Sequence, residues 1–521
     1  MLKRMKNKRP EQRRHGQCLL LGLAAAVSSA LSSTAWAQAE GGGGARTGWY
    51  LVPRLSVTET YTDNLKLSSS GQDAALITNI SPGISISSNS GRLRGSLDYA
   101  LNGLIYSKTQ QAGQVQNALS ARATLDAWEN RLFLDAQASV SRQTISAFGQ
   151  SSNDSSLANG NSTEVASLSM SPYLRGQLAG LARYELRGTV SETRTKDSLL
   201  GDASNRSGSL QLVGLRGGSL LNWSASLSKQ SSHAKTGRET GNSSGTASLL
   251  IRPDFEWGAG LVVGRERNDY TTLSQQTSTT YGLNANWTPT PRTKFALDWT
   301  HHNYGNAHSL SFEHRMARSV WRYSDSQSLN TGGAQNSAGL QTNYELFFIQ
   351  FATIEPDPVL RDVLVRAFLR NLGLSPNAWA NSGFLSASNS LSRNRQFSFS
   401  LQGLRTTMTL MANRSQNSRL AIDPLLGDDL SKAGRVQQRV YAINVAHQLT
   451  PTDTVNIALT QQRSSGDLAN QGNDLKSLTA NWSARLGART SLQLGLRHNR
   501  FNAQLLSYRE NAAIATLVQQ F

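Results

Sequence analysis

The sequence predicts an all-β fold: a transmembrane, antiparallel outer-membrane β-barrel of about 18–22 strands with one helical insertion. Three observations carry this expectation. The first is a recurring phrase, Arg-[Ser/Thr]-x-Φ-x-Φ with Φ a large apolar residue, at 292–297, 318–323, 405–410 and 489–494. Apolar and polar residues alternate on both sides of it, as in Leu478, Ala480, Trp482, Ala484 and Leu486 before one turn and Leu492, Leu494 and Leu496 after it. Period two about a tight turn is a β-hairpin with one apolar and one polar face. The second observation is an N-terminal export signal. The third is composition: 38% of residues are hydrophobic, mean hydropathy is negative, and the apolar residues are dispersed. A helical span needs a continuous apolar run, whereas a barrel strand needs only one apolar face toward lipid.

Taken in order, Lys3, Arg4, Lys6, Lys8, Arg9, Arg13 and Arg14 form a basic region and Leu19 to Val27 an apolar core. Ala35-Trp36-Ala37 then supplies a small-residue cleavage site, so 1–37 reads as a secretory signal peptide. Cys18, the one cysteine, opens the apolar core instead of following it, which argues against a lipoprotein and leaves a mature chain without disulfides. The formal charge of +18 falls to +12 once the seven basic residues and Glu11 of the leader are removed. Its cations are scattered singly along strands, so no nucleic-acid partner is indicated. Residues 38–48 form a flexible glycine-rich lead-in, and 49–521 form the barrel.

The first strand is expected from Trp49 to about Leu67. Paired strands follow around tight turns at Asn89-Ser90-Gly91, Trp128-Glu129-Asn130, Ala179-Gly180, Gly217-Gly218 and Arg252-Pro253-Asp254. Long polar loops (143–163, 194–206, 229–245, 268–276, 415–434, 463–474) all fall on the other side. Short periplasmic turns opposite long outer loops are the asymmetry of Gram-negative outer-membrane barrels. Counting strands this way gives about 22, and the chain ends on a strand with a terminal aromatic, Phe521, which suits an assembly signal although Gln519 departs from the alternation. Arginines in the repeated turns are expected to snorkel to lipid phosphate while the neighbouring Ser/Thr satisfies turn backbone. Trp287, Trp299, Trp321 and Trp482 beside those turns suit an aromatic girdle.

An insertion at about 340–380 breaks the pattern. After Glu355-Pro356-Asp357-Pro358, the spacing of Leu360, Val363, Leu364, Ala367 and Phe368 predicts a helix over 359–372 with one apolar stripe. Asp357 caps it, Pro358 suits its first position and Gly373 ends it. Arg361, Arg366 and Arg370 on its other face are candidate contacts for an anionic polymer. By strand parity the insertion belongs to the outer side, as a cap or folded into the lumen.

No catalytic, cofactor or metal set emerges. His301, His302, His308 and His314 crowd one hairpin, but period two sets His301 and His302 on opposite faces, and zinc-type spacing is lacking. Glu59 and Asp63 share one face of the first strand and are expected to line a polar lumen. Neither a nucleophile elbow nor a phosphate loop nor a dinucleotide fingerprint occurs, so an enzyme is not indicated.

The stretches PRLSVTETYTDNL (53–65), Pro356-Asp357-Pro358 with its helix, and FLSASNSLSRNRQFSFSLQGLRTTMTL (384–410) resemble the PEP-CTERM system-associated outer membrane proteins. These are barrels found with exopolysaccharide biosynthesis and export genes, and the likeness runs over essentially the whole mature chain. The resemblance implies a conduit or accessory pore in exopolysaccharide export or surface sorting. Its partners would be outer-membrane lipid, the outer-membrane assembly machinery, and exopolysaccharide with its export machinery; no cofactor is implied. A general diffusion porin and a surface-structural or adhesive barrel are the alternatives.

Overall fold

The computed structural model describes residues 48–521 apart from 89–90, 108, 110, 197, 199, 216–219, 332–382 (within which Tyr344, Phe348 and Val365 are described), 422–426, 469–470 and 505. The signal peptide, most of the lead-in, and Arg361, Arg366 and Arg370 of the insertion lie outside the described residues.

The described chain is a single 22-stranded antiparallel sheet closed on itself. Its first hairpins are β1 (Trp49–Thr62) with β2 (Ala75–Ser88), β3 (Leu93–Ser107) with β4 (Gln114–Trp128), and β5 (Leu132–Thr144) with β6 (Ser162–Leu178). There follow β7 (Ala182–Thr195), β8 (Ala203–Gly214), β9 (Leu221–Ala234), β10 (Glu239–Ile251), β11 (Trp257–Asn268) and β12 (Gln276–Thr290). Next come β13 (Thr293–His302), β14 (Gly305–Arg315), β15 (Ser319–Asn330), β16 (Ser390–Gln402) and β17 (Thr406–Arg419). After a short helix, α1 (Asp429–Ala433), the chain finishes with β18 (Arg435–Gln448), β19 (Asp453–Gly466), β20 (Gly472–Arg485), β21 (Thr490–Ala503) and β22 (Ser507–Gln520). Pairing of β22 with β1, from Arg54↔Gln520 to Thr62↔Ala512, closes the wall and leaves it without an edge.

Alternation fixes which face meets lipid. Leu494 and Leu496 of β21, Leu459 of β19, Leu261 of β11 and Leu186 of β7 are exposed outward. Gln493 lies between Leu492 and Leu494 and so points inward, in the expected register. The repeated turns share one construction. The carbonyls of Arg292, Arg318, Arg405 and Arg489 accept from the backbone N–H of Arg315, Gln402, Gln448 and Gln520, each time adding a rung to the next strand. The expected turn role of the following Ser/Thr side chain is corrected. Where it is Thr, its hydroxyl meets the side chain directly opposite: Thr293 with His314 Nδ1 at 2.9 Å, Thr406 with His447 Nδ1 at 2.7 Å, Thr490 with Gln519 at 2.6 Å. The backbone carbonyl closes the turn instead: Ser319 O accepts from Met316, Thr406 O from Gly403 and Thr490 O from Leu486. Gln519, the departure from terminal alternation, is thus spoken for.

At two other turns, Glu129-Asn130 (φ 30° and 61°) and Ala179-Gly180 (φ 42° and 71°), both central residues are left-handed. That is the hairpin turn whose twist matches the strands it joins.

Several loops are shorter than the sequence suggests. The expected loop 229–245 is strand except for 235–238, 415–434 is strand to Arg419 and ends in the short helix α1, and 463–474 is strand at both flanks. The alternation reverses there. On β21, Leu492, Leu494 and Leu496 face out below His498, Arg500 and Asn502, while Phe501 is buried inside above Gln493. Above the lipid band the outside is water and the inside is protein, so the apolar face changes sides.

Candidate functional site in a loop-closed lumen

The outer mouth has its own apolar core. β1 ends at Thr62 rather than near Leu67, and the chain turns inward so that Leu65 and Leu67 are fully buried. They pack with Leu157 from the β5–β6 loop against inward-facing Ile77, Phe501 and Tyr508 of the wall. A second cluster joins Ala147 and Phe148 to Phe384, Leu430, Ala433 and Val436. Three loops, after β1, β5 and β17, thus fold into the opening together with the chain just before β16.

Carboxylates tie these loops together. Asp428 caps α1 by accepting from Ser431 N and also accepts from Ser386 Oγ at 2.6 Å and Ala387 N at 3.0 Å. Asp429 accepts from Ser146 Oγ at 2.9 Å and Ala147 N at 2.6 Å. Burial pushes the Asp429 carboxyl above the usual aspartate range, with these two bonds offsetting part of that rise. Arg497, inward on β21, donates to Asp154 of the β5–β6 loop at 2.5 Å and to Glu510 of β22 at 2.7 Å. Burial also pushes Asp154 up, but the Arg497 charge and the Ser156 N–H outweigh it and hold the carboxyl below the ordinary range. Tyr106 and Tyr508 hydroxyls donate to the carbonyls of Ser156 and Ser151, fixing the same loop at two further points.

Below this closure, the inner wall of β5–β7 carries a stack of cations and rings near the periplasmic turns. Phe133 and Tyr173 are parallel with centroids 5.0 Å apart. Arg175 covers Phe133 at 4.1 Å and Arg187 covers Tyr173 at 3.9 Å. Arg187 also pairs with Asp135 and Glu185, each at 2.9 Å. The result is a rigid guanidinium platform facing the lumen. Higher on the wall, inward-facing Arg122 of β4 lies 5.6 Å from the ring centroid of Tyr344. Tyr344 and Phe348 are helical, with rings 5.4 Å apart, and helical Val365 is fully buried. At Tyr344, therefore, the insertion reaches inside the barrel. The inward face of β16 is covered as well: Ser390, Ser392, Asn394, Gln396, Ser398 and Ser400 are all buried.

The histidines of the β13–β14 hairpin are kept apart. His302 meets Glu266 at 2.8 Å on the inner face, whereas His301 bonds Asn306, His308 bonds Asp325 and His314 bonds Thr293. Among the described residues no group of three metal-ligating side chains forms. Glu59 does not line the lumen. It shares the outward face of β1 with Leu55 and Tyr61 and accepts from Thr78 Oγ1 at 2.9 Å, near the outer end of the strand. Asp63, beyond that strand, accepts from Asn511 N at 2.8 Å. Trp299 is not beside a repeated turn; it pairs with Leu283 and meets Tyr281 edge-on in the outer half of the wall. Phe521 is exposed, with its N–H donated to Pro53 O at 3.0 Å.

The anchoring groups escaped sequence reading. Asp428-Asp429 before a short helical run was a cap signal in plain view. Asp154, Arg497 and Glu510 are distant in the chain and carry no local signature.

No protein-family model matches this chain, and no curated protein does. Among solved structures it is similar to the FrpB iron transporter from Neisseria meningitidis, with 10% identity over 92% of this chain and 83% of that one at a TM-score of 0.49. It is also similar to the siderophore receptor PirA from Acinetobacter baumannii, with 9% identity, 92% and 81% coverage and a TM-score of 0.45. A ferric enterobactin receptor (PfeA) mutant from Pseudomonas aeruginosa matches with 10% identity, the same coverages and a TM-score of 0.45. These likenesses concern the barrel alone. The described residues form a closed 22-stranded antiparallel β-barrel.

Proposed function

We propose that this barrel is a non-enzymatic conduit or accessory pore for an exported polysaccharide, closed at its outer mouth by its own loops. The observation that carries the reading is the lumen wall. A barrel of this strand number encloses a wide interior, and here the periplasmic half presents Arg175 and Arg187 on a ring stack with Asp135 and Glu185 beside them. Fixed guanidinium and carboxylate groups offer directional hydrogen bonds to hydroxyls and carboxylates of a hydrated polymer. The resemblance to exopolysaccharide-associated barrels supports the same reading, and the net positive charge of the mature chain suits an acidic polymer. The carboxylate-to-amide anchors of the mouth form a closure that can open without unfolding the wall. A deletion strain complemented with R175Q/R187Q tests it: surface polysaccharide should fall severalfold while the barrel assembles normally. Unchanged polysaccharide in the deletion strain itself would move the assignment to a diffusion pore or an adhesive barrel.

A further inference from the structure

The outer surface of the barrel carries a feature that a conduit does not use. Arg395 of β16, Arg414 of β17, Arg439 of β18 and Arg463 of β19 are direct register partners in succession. Partners in register share a face, and this one is the lipid-facing side: Arg395 shares its parity with exposed Leu401, Arg439 with Tyr441, and Arg463 with Leu459. A second outward and exposed row, Lys476↔Arg500↔Arg509 across β20–β22, begins two residues nearer the periplasm, since the register partner of Arg463 on β20 is Asp474. Each of seven consecutive strands thus presents an outward cation in its outer half, in two rows offset by two residues. Phe397, Tyr441 and Leu478 stand two residues nearer the periplasm, about 7 Å along a strand. The cations therefore sit where the apolar band gives way to the headgroup layer of the outer leaflet.

Like charges directly opposed across strands destabilise a sheet, and four arginines on adjacent strands span only about 15 Å. Compensation within the described protein is scant. Asp325 pairs with Arg393 at 2.6 Å and Arg395 at 3.3 Å, but no carboxylate among the described residues lies within ion-pair distance of Arg414, Arg439, Arg463, Lys476, Arg500 or Arg509. Asp474 faces Arg463 in register yet accepts from Gln461. Arg414 and Arg439 share one neutral acceptor instead: with its amide oriented to satisfy both ends, the Gln437 carbonyl accepts from their Nε atoms at 2.8 and 2.7 Å. Guanidiniums converging on one point at a lipid interface form a receptor for a multiply charged anion.

We infer that the outward arginine ladder of β16–β19, extended by Lys476, Arg500 and Arg509, binds the phosphate groups of the phosphorylated glycolipid of the outer leaflet. Lipid acyl chains would lie along Phe397, Tyr441 and Leu459 below, placing sugar-borne phosphates level with the cations. The lateral, membrane-facing position favours a lipid over a soluble polymer, and the inference stands independently of what passes through the lumen.

The test uses the full-length mature barrel in detergent, with bisphosphorylated lipid A as the probe. Wild-type protein should retain lipid A through gel filtration and melt at a higher temperature in its presence. R414Q/R439Q/R463Q should retain at least tenfold less and lose the shift, while melting no lower than wild type without lipid because the opposed charges are gone. The wild-type protein gives a second readout that requires no variant: lipid A stripped of its phosphates should not be retained. Equal retention of dephosphorylated lipid A, or of lipid A by the triple variant, would overturn the proposal. Preference for a soluble acidic polysaccharide over lipid A would overturn it in favour of polymer docking.

Discussion

Two neighbouring residues of β21 measure the alternation directly. Leu494 faces lipid and Gln493 faces inward. A cation facing the bilayer midplane costs about 2–4 kcal/mol and less near an interface, and Leu494 lies four residues from the start of β21 at Thr490. Leu494→Arg should therefore lower stability toward the low end of that range in vesicle-based urea unfolding, while Gln493→Arg changes it little. Equal effects would shift the register by one residue. Asp154 offers a second measurement at this scale. Its carboxyl titrates below the ordinary aspartate value of 3.8 because of Arg497. Its docking contribution is thus complete above that value and is lost as pH falls through the lower folded one. Proteolytic nicking within 145–161 should stay slow at neutral pH and rise only in strong acid. Asp154→Asn should bring fast nicking to neutral pH with the barrel intact, and unchanged nicking in that variant would remove the ion trio as the loop's anchor.

Among the elements, β22 depends most on its last residues. It bonds β21 on one side and β1 on the other, and Phe521 N–H to Pro53 O is the final rung of the closing seam. Deleting Phe521 removes that rung and the terminal aromatic together. The truncated chain is expected to accumulate without the altered migration of an unheated barrel on gels; normal insertion would deny Phe521 any assembly role. The strands of the repeated turns were legible in detail because turn chemistry and period two agree in each copy. The outer halves of β9, β10, β18 and β19 were not, since Ser, Gln, Asn and Arg occupy both faces there. A strand standing in water on one side and against polar protein on the other loses the contrast on which periodicity depends.

At the scale of the molecule, the proposed function makes the insertion a restriction of the lumen. Tyr344 beside Arg122 lies within the barrel, so excising 340–380 should leave a folded barrel with a larger and steadier single-channel conductance. Neutralising Arg361, Arg366 and Arg370 should reduce export of an acidic polysaccharide without altering assembly. Unchanged conductance after excision would assign closure of the lumen to the mouth loops alone.

The sequence by itself determined the barrel, its hairpin turns, the lipid-facing parity and a strand number near that observed, because each is written in residues a few positions apart. Tertiary structure alone decided that loops after β1, β5 and β17 fill the mouth, and that arginines from four strands align in one ladder. Those outcomes rest on register between strands and on contacts such as Asp154 with Arg497, 343 residues apart. Local alternation says which side of a strand a residue occupies, but not what a closed sheet brings opposite to it.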